Sequence, residues 1–199
     1  MPDEKSRTPV PGNKDSEGAV TELLGAWRAG QDDALDELAE VIYPGLRRLA
    51  AARLAAWSGE ISLQATELAH EAYFKLLRQD REGWKNRAQL FAVLSRLIRR
   101  LLVDHARHRE RRKRGGDAQK VTLDASVLAG AEPSVDVIVL EQALGDLDRI
   151  DPLAAQVVEV LFFGGLTHDE ASEALGVGRA TVGRKWRFAR AWLATRLAA

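Results

Sequence analysis

Between Leu166 and Val182 the chain reads Leu-Thr-His-Asp-Glu-Ala-Ser-Glu-Ala-Leu-Gly-Val-Gly-Arg-Ala-Thr-Val, and the stretch from Arg179 onward carries Arg179, Arg184, Lys185, Arg187 and Arg190 with no acid among them. Guanidinium and ammonium groups on one helix bind phosphates and the acceptor edges of bases, so the chemistry on offer is recognition of a polyanion. Thr167 with Glu170 three residues later predicts a capping box and a helix start. Gly176 predicts where that helix stops, in a left-handed turn. Ser172 supplies the small side chain that lets two helices cross closely. A second helix, from about Arg179 toward Leu193, can then enter a major groove, with Arg179, Thr181, Arg184, Lys185 and Arg187 as candidate contacts. A glycine-stopped helix pair alone is common in all-helical proteins. It is the capping box, the spacing and the one-signed second helix together that point to DNA.

A second constellation lies upstream. Arg96, Arg100, Arg107, Arg111 and Arg114 recur at helical spacing on one stripe, opposite Leu90, Leu94, Leu97 and Leu101. Charge runs are usually solvated faces, but this one lacks the acidic partners that normally balance an exposed helix. Two basic surfaces in one chain suggest that DNA is touched at two places.

The elements that must hold these groups follow from periodicity. Residues 1–17 mix Pro, Gly, Ser and charge and are expected to be disordered. A helical pattern runs from Ala19 to about Trp57, broken at Gly30, with Pro44 expected to kink or split it. A helix is predicted from near Ala65 to Arg78, a loop at Gln79–Asn86, and a long helix from Arg87 to at least His108. Residues 115–132 lack periodicity and predict a linker. Helical pattern resumes at Pro133. Asp151-Pro152 opens one further helix, with Val157, Val158, Leu161 and Phe162 on its core face and Gly164-Gly165 at its end. The expected fold is all-α: two small helical domains, 18–114 and 133–199, joined by a flexible linker, with no strand pattern and no internal repeat.

Composition narrows the function classes. The 199 residues contain no cysteine, so neither a disulfide frame nor a thiolate metal site is available. No signal peptide or spanning apolar run is evident, and a soluble cytoplasmic protein is the expectation. Lys and Arg number 29 against 29 Asp and Glu, for a net charge of zero. The charge is nonetheless bipolar: residues 31–40 hold Asp32, Asp33, Asp36, Glu37 and Glu40 without a base, while residues 96–114 are strongly cationic. Screening beyond about 8 Å makes the local field the relevant one for a polyanion.

Three blocks in this order resemble the extracytoplasmic-function (ECF) sigma factors of the sigma-70 family, subunits of bacterial RNA polymerase. They are Glu67-Leu68-Ala69-His70-Glu71-Ala72-Tyr73-Phe74-Lys75-Leu76-Leu77, then Phe91 through Arg107, then the helix-turn-helix with its ending Trp186-Arg187-Phe188-Ala189-Arg190-Ala191-Trp192-Leu193. The similarity covers about residues 19–114 and 135–195. It implies a σ2-like domain that docks on the polymerase clamp helices and opens the −10 element, and a σ4-like domain that meets the flap and reads the −35 element. Glu67, His70 and Glu71 fall on the docking motif. Phe74 lies on the same helix face, where an exposed aromatic among charges signals a partner contact, the alternative being that it folds back onto the core. The loop from Arg78 to Arg87 matches the place where the family captures a flipped −10 base. It offers Trp84 as a stacking platform, or as a core plug, and then Asn86, Arg87 and Gln89 as polar contacts. Arg96, Arg100 and Arg107 would steer the −10 duplex.

The chain departs from the family pattern at three points. His70 stands where a Gln is usual, Ser172 where an Ala is usual, and Thr66 where an acid commonly precedes Glu67. Thr66 is either a plain first-turn or N-cap residue or a phosphorylation switch that restores the missing negative charge. The partners implied are core RNA polymerase, promoter DNA and either a Ser/Thr kinase or an anti-sigma factor. No cofactor or metal is implied. A stand-alone helix-turn-helix regulator is the alternative, but it leaves the N-terminal domain unexplained. An enzyme is not expected: His70, His105, His108 and His168 show no metal-binding spacing, and there is no phosphate loop or nucleophile elbow.

Overall fold

The computed structural model describes residues 14–31, 33–55, 63–78, 84–113 and 137–197. Every regular element among them is helical: α1 Lys14–Arg28, α2 Asp33–Ala55, α3 Ala65–Leu77, α4 Arg87–Lys113, α5 Val137–Ile150, α6 Pro152–Val158, a π turn Glu159–Phe163, α7 His168–Leu175 and α8 Arg179–Leu197. The all-α expectation holds. The proposed linker at 115–132 lies outside the described residues, as does Arg114 of the basic stripe.

Local chemistry sets most boundaries. Gly30 takes φ +89° and separates α1 from α2. Pro44 does not split α2, which is helical from end to end. Pro44 is exposed, so the carbonyl that loses its amide partner can be met by water. Helix α1 begins at Lys14, inside the stretch expected to be disordered. The side chain of Asp151 accepts from the Ala154 amide at 3.0 Å, and Pro152 occupies the first turn of α6.

The chain ends α6 differently from the simple helical pattern. A π turn inserts one residue, and the Gly164 amide donates to the Glu159 carbonyl at 3.1 Å. The extra residue rotates the register. Phe163 therefore becomes the buried aromatic, while Phe162, expected on the core face, is half-buried and carries Arg53 over its ring at 5.0 Å.

Leu24, Trp27, Leu38, Leu46, Leu68, Leu90, Leu94 and Ile98 fill the interior of the first half. Leu144, Leu147, Val157, Phe163, Val182 and Leu193 fill that of the second. Helix α4 packs against α5, the π turn and α7, and one apolar cluster runs through both halves. The two also approach closely: a methyl added at Gly164 would lie 3.0 Å from the Cβ of Ser95, a fully buried residue of α4.

Candidate nucleic-acid interface

Helix α7 begins as the sequence predicts. The Thr167 hydroxyl accepts from the Glu170 amide at 3.2 Å, and the Thr167 amide donates to Glu170 Oε2 at 2.8 Å. Gly176 ends the helix at φ +66°. Ser172 donates its hydroxyl proton to the Val177 carbonyl and so ties the turn to the helix before it. Val182 and Trp186 then anchor α8 inward.

The candidate contacts on α8 do not share one environment. Arg184 and Arg187 are exposed. Arg179 is exposed and 3.2 Å from Asp169. Thr181 is half-buried, and its hydroxyl accepts weakly from Arg184 at 3.4 Å. Lys185 is tethered: its ammonium donates to Asp151, the residue that caps α6. The hydrogen bond from Lys185 holds the Asp151 carboxyl below the usual carboxylate range; burial opposes this, and the Ala154 amide adds to it. Lys185 thereby fixes α8 against the start of α6, a role that charge counting along the helix could not reveal.

On α4 the stripe is real. Arg96, Arg100, Arg107 and Arg111 are all exposed, and none of Arg96, Arg100 and Arg107 has an acidic partner within salt-bridge distance among the described residues. Arg99, one residue off the stripe, points the other way and binds both Glu141 and Glu159 across the two halves. Burial alone would lower the Arg99 pKa, but the charge and hydrogen bond of Glu159, then those of Glu141, raise it above the ordinary value.

One expectation at the start of α4 needs correction. Trp84 is 3% exposed and stacks on Trp27 with ring centroids 5.5 Å apart, so its faces are closed to a base. Burying a large indole against another outweighs any stacking use in the free chain. Arg87 is also buried: it lies over Phe91 at 4.5 Å and forms an ion pair with Glu170 of α7. Beside it, Asn86 caps α4 by accepting from the Gln89 amide at 2.9 Å, and its amide group donates to Glu173 at 2.7 Å. Gln89 in turn accepts from the Lys85 amide at 2.8 Å. Glu170 is legible in the sequence as the capping partner of Thr167, but its pairing with Arg87, and that of Glu173 with Asn86, carries no local signal.

The face of α3 is arranged as its spacing implies. Glu67, His70 and Phe74 are exposed, Phe74 at 60%, and Glu71 is half-buried. His70 stacks on Tyr43 at 5.2 Å. Glu71 lies 3.3 Å from His105 and 3.7 Å from Lys75. Thr66 is half-buried in the first turn, and the capping role belongs elsewhere: the Gln64 amide donates to Glu67 Oε2 at 2.8 Å. Tyr73, on the flank, has its phenol pKa raised by burial and then by the charge of Asp36.

Among the described residues no cluster of His, Asp and Glu could hold a metal ion, and no helix is long and apolar enough to cross a membrane. Comparison with curated proteins gives no match. The family model for ECF sigma factors matches residues 17–199, which takes in the α3 face, the α4 stripe and the helix-turn-helix alike. The chain belongs to the ECF sigma factor family and is a sigma factor of transcription initiation, binding RNA polymerase and DNA.

Proposed function

We propose the following division of labour within this sigma factor. The α3 face of Glu67, His70, Glu71 and Phe74 docks on the clamp helices of core polymerase. The start of α4, with Asn86 and Arg87, and its stripe of Arg96, Arg100 and Arg107 handle the −10 element and its unpaired strand. Helix α8 reads the −35 element through Arg179, Arg184 and Arg187, with Thr181 beside them and Lys185 positioning the helix, while the second half of the chain also meets the flap. The observation that carries most is the exposed stripe on α4. Three arginines on a solvent face, without acidic partners among the described residues, lose nothing when they meet phosphates, and each releases counterions on doing so. Strand opening then needs no chemistry from the protein. It follows from binding energy directed to unpaired bases while polymerase holds the duplex.

Thr66 sits in the first turn of α3 next to Glu67, where the capping is already done by Gln64 and Glu67. A phosphate there would add about −1.5 to −2 charge at pH 7 and meet the positive end of the helix dipole. The unmodified chain is then a weak polymerase binder, and a Ser/Thr kinase activates it in place of an anti-sigma factor. Run-off transcription with purified core polymerase tests both parts. Thr66→Glu should raise core affinity and transcript yield. In cells, full promoter activity from Thr66→Ala under inducing conditions would mean that Thr66 is no switch. No transcript from any promoter in a library, with core polymerase bound, would remove the initiation reading itself.

A further inference from the structure

Glu170 divides its carboxylate between two tasks. One oxygen, Oε2, accepts from the Thr167 amide and hydroxyl at 2.8 and 2.9 Å and so caps α7. The other, Oε1, takes the Arg87 guanidinium of α4. Glu173, about one turn further along α7, takes the Asn86 amide. Two of the three acids of the helix-turn-helix thus occupy Asn86 and Arg87 at the start of α4. Both are engaged from the far half of the chain, and Arg87 is 6% exposed as a result. A carboxylate on a guanidinium is the same contact that a backbone phosphate would make.

We infer that the free chain is held closed by Glu170 and Glu173, which stand in for nucleic-acid groups at Asn86 and Arg87, so that the −10-facing end of α4 becomes available only when the two halves part. This rests on the role proposed above for Asn86 and Arg87. The apolar contact between α4 and the π turn supplies affinity for the closed form. Glu170 supplies its register, because a buried charged pair tolerates little misalignment, and Glu173 adds a hydrogen bond at the rim. Docking on polymerase opens the chain by binding the parted form better, and apparent affinity for single strands rises with the fraction that is open.

The test uses the full chain. It has no native cysteine, so Arg48→Cys on α2 and Thr195→Cys on α8, both exposed, give two unique spin-label sites. In that background Glu170→Gln with Glu173→Gln keeps the cap, since a glutamine oxygen still accepts from Thr167, but turns an N–H group toward Arg87. The label distance should lengthen and broaden in electron resonance. Affinity for a pool of short random single-stranded DNA should rise about tenfold, as when a form open about a tenth of the time becomes fully open. A second variant, Ser95→Leu, wedges the close approach at Gly164 without touching the acids and shows that the labels report opening. If the wedge lengthens the distance and the glutamine pair does not, the acids are no latch and the proposal fails. If neither variant changes the distance, it fails too. If the distance lengthens but single-strand affinity does not rise, masking is disproved, and the fault lies in the assignment of Asn86 and Arg87 to the −10 strand.

Discussion

Trp84 stands in a polar stretch beside Lys85, and in sequence its neighbours leave base stacking open beside the commoner burial of a Trp. The pairing with Trp27 decides between them, and Trp27 is 57 positions away along the chain, invisible to any local pattern. Trp84→Ala is therefore expected to cost about 3–5 kcal/mol of stability, read as a lower thermal midpoint, and to leave the affinity for single-stranded DNA little changed per folded molecule. Arg184 is the opposite case: exposed, on the part of α8 proposed to enter the groove, and bonded among the described residues to Thr181. Arg184→Ala should cost about 1–3 kcal/mol of promoter binding and shift the preferred −35 sequence if the contact is to a base. It should lower affinity for all sequences, and the salt slope by about one, if the contact is to a phosphate. Asp151 links such residue chemistry to pH. Its folded-state pKa is depressed below that of the unfolded chain, chiefly by Lys185, so its contribution to stability is present above the ordinary carboxylate range and is lost as pH falls through the folded value. Asp151→Asn retains an acceptor for the Ala154 amide. The stability gap between wild type and this variant, measured by chemical denaturation, should be open at neutral pH and close in acid.

Among the elements, helices with strong local punctuation were legible. Thr167, Glu170 and Gly176 placed α7 almost to the residue, Asp151-Pro152 placed the start of α6, and the leucines of α4 are all buried. What failed was chemistry that depends on a neighbour. Pro44 lies within α2 because its exposed face lets water meet the orphaned carbonyl. The π turn moved burial from Phe162 to Phe163 because a one-residue insertion has no composition signal of its own. Lys185 reads as one more cation of α8 until Asp151 is found beside it. The exposed arginine stripe was legible because a solvent face is defined by what it does not contact. Reversing Arg96, Arg100 and Arg107 to Glu should abolish open-complex formation, seen as loss of permanganate-reactive thymines. Co-purification with core polymerase should persist, because the proposed docking face, on α3, lies on a different helix.

At the scale of the molecule, acids of one half offset the cations of the other, and the net charge is zero. Because non-specific affinity comes mainly from neutralised phosphates, the isolated chain should bind promoter duplex weakly at physiological salt and gain specificity only with core polymerase. A tight, sequence-specific gel shift by the chain alone would contradict this. The organisation expected from sequence was two domains on a tether; the tether lies outside the described residues, and the described residues of both halves share one apolar cluster, since a short helical bundle gains by covering its open side with another. That shared interior carries a consequence for heat. Two beads on a string melt independently and give two overlapping endotherms, whereas a single interior melts as a unit. A scanning calorimeter should record one peak for this protein, with a calorimetric enthalpy equal to the van't Hoff value. Ser95→Leu, by prising α4 from the π turn, should split it into two.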